Sequence, residues 1–296
     1  MNIEIKELSK VYPNGHAAIQ GINLEIGSGM FGLLGPNGAG KSSLMRILVT
    51  LQKATGGSIH MDGLDINQHR KKIRPWIGYL PQDFTFFNKL KTWEFLDYAA
   101  MLSSDLGKKK RIAEVDSMLD QVGLLDVRER QANKLSGGMK RRLGIAQALI
   151  GNPRLLVIDE PTTGLDPEER IRFRNILSDL SQKDVTIILS THIVGDISST
   201  CNNMAMLNKG EVAFSGAPEG MIDQVKNHVW QVTVEDEDFT DLKSKYSVVS
   251  TIPVEGSWET QLISMEKPHP EAFNIQPNLE HAYVFFMENE LGVSLV

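Results

Sequence analysis

Gly35-Pro36-Asn37-Gly38-Ala39-Gly40-Lys41-Ser42 sets two glycines around four residues and then adds a lysine and a hydroxyl. This is the pattern of a phosphate-binding loop. The glycines let the backbone turn tightly and aim N–H groups at phosphate oxygens, while a helix beginning near Lys41 adds its positive end. Lys41 would reach the β- and γ-phosphates, and Ser42 would ligate Mg²⁺. A second cluster, Asp159-Glu160, puts two adjacent carboxylates after the apolar run Leu155-Leu156-Val157-Ile158. A Mg²⁺–phosphate site gives both a use: Asp159 holds the metal, directly or through water, and Glu160 accepts a proton from attacking water. Gln82 and His192 each follow a strand-like run, at the strand's carboxyl end where α/β sheets receive ligands. His192 is therefore a candidate for hydrogen bonding a γ-phosphate or the attacking water. Ser136, with Gly137 and Gly138, opens a helix and suits either an anion or an ordinary N-cap. Tyr12 offers a ring that could stack on a flat base or simply pack.

These residues need a particular framework. Met30-Phe31-Gly32-Leu33-Leu34 reads as a short buried strand before the loop, and Leu44, Ile47, Leu48 and Leu51 follow it at helical spacing. Ile3 and Ile5, then Ile22, Leu24 and Ile26, alternate with polar neighbours as two half-buried strands, joined by the turn Val11–Gly15. Gly56-Gly57 is expected to break the chain before a strand at Ser58–Gly63, and Trp76–Leu80 is strand-like. From Asp83 to about Asn133 helical spacing takes over, and Leu135–Met139 opens a further helix that stops at Gly151-Asn152-Pro153. Leu155–Ile158 is a continuous apolar run, as expected of a strand buried on both faces of a parallel sheet, and Val185–Ser190 reads as a second buried strand. Asp166-Pro167-Glu168-Glu169 has the N-cap, proline and acids of a helix start. Asn203–Phe214 reads as a hairpin and Pro218–Lys226 as a short helix. After about Asn227 the pattern loosens into strand-like pieces at Val229–Val234, Val248–Val254 and Thr260–Met265, then a helix over Asn278–Asn289.

The bulk properties narrow the setting. A chain of 296 residues accommodates one large domain and a smaller one. With 41% hydrophobic and 23% charged residues, no run approaches the ~18 apolar residues that span a bilayer, so a membrane function needs a separate partner. A single cysteine, Cys201, and a start without a basic-then-apolar leader point to the cytoplasm. A net charge of -6 argues against a broad nucleic-acid surface.

Taken together and in order, the motifs over residues 1–226 resemble the nucleotide-binding subunit of ABC transporters. The resemblance rests on Gly35–Ser42, Gln82, the signature Leu135-Ser136-Gly137-Gly138, Leu155–Glu160, Gly164-Leu165-Asp166 and His192. It implies an α/β fold: a P-loop NTPase core with an antiparallel β subdomain and a helical subdomain at about 83–150. Residues 227–296 would form a small accessory β/α domain. It implies ATP and Mg²⁺ as ligands and ATP hydrolysis as the activity. Nucleotide contacts would come from Tyr12, Gly35, Pro36, Asn37, Gly38, Ala39, Gly40, Lys41, Ser42 and Ser43. Metal contacts would come from Ser42, Gln82 and Asp159, with Glu160 as general base and His192 as γ-phosphate sensor. Ser136, Gly137, Gly138 and Asp166 would act in trans, across a head-to-tail homodimer or a pair with another ABC ATPase. Separate transmembrane permease subunits would be the other partners, met at the cytoplasmic face of the inner or plasma membrane, with Phe84, Phe86 and Phe87 as candidate contacts. Two departures are Met139, where the signature often has glutamine, and Ser43, where threonine often follows the loop. Pro277–Tyr283 resembles the C-terminal extension of bacterial exporter ATPases and suggests export. The rival is a non-transport ABC ATPase acting on ribosomes, DNA or cluster assembly. The short stretch from Gln82 to Ser136, the single cassette and the acidic charge weigh against it.

Overall fold

A computed structural model describes residues 1–86, 89–103, 106–182 and 184–289. These form two compact units, Met1–His192 with Thr200–Ser215, and Ile193–Ser199 with Gly216 onward. The first unit runs β1 (Ile3–Val11), β2 (Ala17–Ile26), β3 (Met30–Leu34), α1 (Lys41–Leu48), β4 (Gly56–Met61), β5 (Leu64–Asp65), α2 (Arg70–Ile73) and β6 (Ile77–Leu80). It continues with α3 (Thr92–Ser103), α4 (Lys108–Gln121), α5 (Gly137–Leu149), β7 (Leu155–Asp159), α6 (Pro167–Ser181) and β8 (Thr186–Thr191). After α7 (Val194–Ser198), which belongs to the second unit, β9 (Asn203–Asn208) and β10 (Glu211–Gly216) follow.

Two sheets share the first unit. Strands β2-β1-β4-β5 make an antiparallel sheet, and β10-β9-β3-β8-β7-β6 make a second one in which β9, β3, β8, β7 and β6 run parallel. Every residue of β3, β7 and β8 is buried, which is why these strands read as unbroken apolar runs. One continuous core joins Ile3, Ile5, Ile22 and Ile26 of the antiparallel sheet to Phe31, Leu33, Val157 and Ile188 of the parallel one. Leu44, Ile47 and Leu48 of α1 pack into the same core. The α/β reading and its antiparallel and helical subdomains therefore hold.

Local differences have local causes. Gly56 and Gly57 lie inside β4 rather than before it, because the β1–β4 register shifts between Lys6 and Ser9. Gly57 sits at φ +76 beside that shift, where a Cβ would collide with the main-chain oxygen of Glu7. The glycine thus serves a bulge within a strand, not a break.

The second unit contains α8 (Pro218–Ile222), β11 (Val229–Val234), α9 (Asp236–Lys245), β12 (Ser247–Val254), β13 (Ser257–Ile263), β14 (Phe273–Asn274) and α10 (Leu279–Asn289). Its sheet has the order β12-β13-β11-β14 and packs Val232, Val234, Leu242 and Leu262 into a small core of its own. Sequence reading passed over α9. Its first turn is Asp236, Glu237 and Asp238, and it commits only Leu242 fully and Phe239 partly to the core, so its apolar periodicity is faint.

Ile158 is fully buried in β7 one residue before the paired carboxylates. Ile158→Ala is expected to destabilise the protein by about 2–5 kcal/mol, the range for emptying a core site that cannot collapse, read from urea unfolding.

Candidate functional site

The parallel sheet brings the chemistry together by strand order alone. Gly35 follows β3, His192 follows β8, Asp159 ends β7 with Glu160 next, and Gln82 lies two residues past β6. Since β3, β8, β7 and β6 are neighbours in that order, all these residues emerge along one edge, at the carboxyl ends of the strands. A cavity of about 560 Å³ opens there, lined by His16, Ala18, Asn37, Gly38, Ala39, Gly40, Lys41, Ser42, Ser43, Gln82, Glu160, Thr163 and His192.

Glu160 is the hub. Its Oε1 lies 3.6 Å from Lys41 Nζ, and its Oε2 lies 3.1 Å from His192 Nδ1. Gln82 Nε2 and Thr163 Oγ1 each donate to the same Oε2 at 3.4 Å. Lys41 also donates to the carbonyls of Gly35 at 2.6 Å and Pro36 at 3.1 Å, so its ammonium folds the phosphate loop around itself. Burial pushes the Lys41 pKa down, and the negative charges of Glu160 and Asp159 oppose that shift.

The loop's glycines are required by contact as well as by turning. Gly40 has φ +103 and caps α1, and a Cβ there would strike the main-chain oxygen of Ala18 on β2. The first turn of α1 then points its free N–H groups into the cavity wall formed by Lys41, Ser42 and Ser43.

The donor set fits Mg²⁺. Ser42 and Gln82 line the cavity, while Asp159 lies buried behind that lining at the end of β7 and accepts from Ser190 Oγ at 2.5 Å through Oδ1, which leaves Oδ2 as its donor toward a metal. A hydroxyl, an amide oxygen and a carboxylate, completed by phosphate oxygens and water, match the hard-oxygen preference of that ion.

Other expected residues sit elsewhere. Tyr12 does not line the cavity: its ring stacks on that of His16 at 6.3 Å between centroids, and its hydroxyl lies 3.0 Å from Ser43 Oγ. Ser136 caps α5 by accepting from Met139 N, and Asp166 caps α6 by accepting from Glu169 N. Neither lines this cavity, nor do Gly137 and Gly138. Gly138 packs against the Glu169 side chain, which leaves no room for a Cβ. Phe84 and Phe86 pack edge-to-face, whereas Phe87 lies outside the described residues.

Sequence reasoning missed Thr163, His16 and Ser190. Thr163 stands three residues after Glu160 in the same loop, a spacing that signals a shared site. His16 and Ser190 carry no such mark, since only the folded β2 start and the β8 neighbour bring them in.

The ABC transporter family pattern matches residues 19–163. An uncharacterized ABC transporter ATP-binding protein of Synechocystis sp. is 38% identical over 73% of this chain, and the chain spans 62% of that relative's length. The phosphonates import ATP-binding protein PhnC 2 of Synechococcus sp. is 34% identical, over 77% of this chain and 90% of its own. The chain belongs to the ABC transporter ATP-binding proteins. Among solved structures, a dimeric ATP-binding cassette in a post-hydrolysis state, bound to ADP and Pi, is similar over 73% of this chain and 98% of its own. It shares 26% identity at a TM-score of 0.67. Membership explains why a lysine-bearing glycine loop and a carboxylate hub share one cavity.

Gly40→Ala is expected to cost about 1–3 kcal/mol, from a forbidden φ and from the Ala18 contact, and to weaken ATP binding. Urea unfolding and equilibrium nucleotide titration read the two effects separately.

Proposed function

We propose that this chain hydrolyses ATP as one half of a dimeric motor that drives separate membrane subunits. The observation that carries the reading is the convergence of Lys41, Gln82, Thr163 and His192 on the Glu160 carboxylate inside the cavity of the phosphate loop. Residues 1–226 would be the catalytic domain and 227–296 an accessory one.

The chemistry follows from those positions. Phosphates entering the loop would take Lys41 from Gly35, Pro36 and Glu160, leaving Glu160 free to accept a proton. Residues 35–43 would supply the N–H and hydroxyl contacts, and Tyr12, with His16, the ring surface beside the base. Ser42, Gln82 and Asp159 would hold Mg²⁺, which neutralises phosphate charge when bound. Water attack would form a bond from its oxygen to the γ-phosphorus as the bond to the β–γ bridging oxygen breaks. The water proton passes to Glu160, and the bridging oxygen leaves with ADP. His192, whose Nδ1 faces Glu160, would hold the base and meet the γ-phosphate.

Dimerisation supplies what the cavity lacks. Ser136, Gly137, Gly138 and Asp166 lie outside the nucleotide cavity of their own chain, so their contact with ATP would be made in a second copy or a related ATPase. A two-fold, head-to-tail pair satisfies both sites at once. Among the described residues no helix is long and apolar enough to cross a membrane; the proposal sets the chain at the cytoplasmic face beneath separate permease subunits. The surface proposed for that contact is the region after Gln82, with Phe84 and Phe86, together with the exposed Tyr98, Met101 and Leu102 of α3. An export direction rests on Pro277–Tyr283, while relatives are named both for phosphonate import and for Nod factor export. The transport reading is therefore put forward without a direction.

Glu160→Gln is expected to lower turnover by roughly 10²–10⁴-fold while ATP binding persists. Phosphate release gives the rate, and size-exclusion with ATP gives the dimer, which should accumulate in the variant. Near-normal turnover would reject Glu160 as the base. Affinity purification of tagged Glu160→Gln from solubilised native membranes with ATP should recover a multi-spanning protein. Recovery of ribosomal or DNA-bound factors alone would reject transport and leave the ATPase standing.

A further inference from the structure

Arg141 is a buried cation that the chemistry above does not use. It lies on α5, only 8% exposed, and its hydrogen bonds go to main-chain carbonyls. Nη1 donates to Gln82 O at 2.9 Å and, more weakly, to Pro81 O at 3.4 Å. Nη2 donates to Glu160 O at 3.1 Å. The guanidinium also lies over the Phe84 ring, 5.3 Å from its centroid. One planar fork therefore joins the segment after β6 to the residue after β7, a task for which a guanidinium is suited and a point-charge ammonium is not.

What it grips is unusual. Glu160 has φ +45, a left-handed backbone that a glutamate seldom adopts. Its N–H is held by Ser190, through the main-chain oxygen at 3.1 Å and Oγ at 3.2 Å, and its carbonyl is held by Arg141. Such a conformation persists where its surroundings over-determine it, and here both sides of the residue are fixed. The carboxylate of Glu160 is thereby aimed at Lys41 and His192 by contacts to its backbone. Burial pulls the Arg141 pKa down, and the negative charges of Asp83, Asp159 and Glu160 oppose part of that shift.

We propose that Arg141 is a positioning residue that holds Gln82 and Glu160 in working geometry and couples them to the helix whose first residues are the signature. The proposal rests on the ATPase reading above. Arg141 comes about one turn after Gly137, so a displacement of the α5 N-terminus, where a partner's nucleotide would bind, bears directly on the carbonyls of Gln82 and Glu160. The same helix thus serves the opposite site at its tip and its own site through Arg141.

The test compares Arg141→Met, which keeps the apolar stem, Arg141→Lys, which keeps the charge, and wild type, all as the full chain. Arg141→Met is expected to lose about 10–100-fold in kcat, the scale of a misplaced catalytic group, with KM and ATP affinity within about threefold. Arg141→Lys should fall between the two. Hydrogen exchange should quicken around residues 81–84 and 160–163 and stay unchanged in the second unit. A folded Arg141→Met with kcat within threefold of wild type overturns the proposal. So does a parallel loss of kcat, ATP affinity and melting temperature in both variants, which marks a purely structural role. Should Arg141→Met fail to fold, Arg141→Lys with wild-type kcat and unchanged exchange overturns it equally. A wild-type chain with no turnover at all overturns the ATPase reading itself, and the role of Arg141 with it.

Discussion

The contact between Lys41 and Glu160 governs this structure. Two opposite charges, with side-chain exposures of 5% and 8%, stand 3.6 Å apart at the end of a buried parallel sheet. Neither is well solvated, and a buried pair recovers its desolvation cost only when further hydrogen bonds complete it. Here they do: Gly35 and Pro36 carbonyls accept from the ammonium, while Gln82, Thr163 and His192 surround the carboxylate. The loop, the segment after β6 and the segments after β7 and β8 are thereby joined through a single pair. On the proposed reading, a nucleotide bringing negative charge to Lys41 would compete with Glu160 for the ammonium and so bear on the contacts that meet at that carboxylate.

The parallel sheet makes this possible. Because neighbouring strands run the same way, their carboxyl ends share an edge, and residues 78 or more positions apart, such as Gln82 and Glu160, meet there. Full burial of β7 and β8 anchors the two carboxylates and His192 to rigid backbone. The turn after β7 is the most constrained point: the chain leaves the core at Glu160 in a left-handed conformation, held by Ser190 from one side and Arg141 from the other. Precision at the carboxylate comes from contacts to its main chain, which the side chain's own partners then refine.

On the proposed reading, the work done for the chain's own site and for a partner's site would divide along α5. Its start, capped by Ser136, leaves Ser136 and Gly137 exposed and Gly138 buried against Glu169, and its middle is tied through Arg141 to the carbonyls of Gln82 and Glu160. Arg142, next in sequence, points to Val122, Gly123 and Glu169 instead and secures the helical region to α6. Consecutive arginines therefore tie α5 to two different places, Arg141 to the residues after β6 and β7 and Arg142 to the end of α4 and to α6. Among the described residues, the cavity lining comes from the first unit.

Much of this was legible in the amino-acid order. The phosphate loop declares itself because tight turning demands glycine and phosphate demands Lys41 and Ser42, all within eight consecutive residues. Buried parallel strands declare themselves because two covered faces leave no polar alternation, and Asp159, Glu160, Gln82 and His192 stand where those runs end. Helix α9 stayed hidden because too little of it is buried to imprint a period, and Gly57 misled because bulge and break ask for the same residue. The tertiary structure alone decided that Thr163 joins Gln82 and His192 at one carboxylate, that His16 lines the cavity with Tyr12 stacked against it, and that Arg141 bridges two loops. Those relations depend on which strands lie side by side and where a helix packs across them. Sequence periodicity records whether a residue is buried, and carries no mark of the neighbour it is buried against.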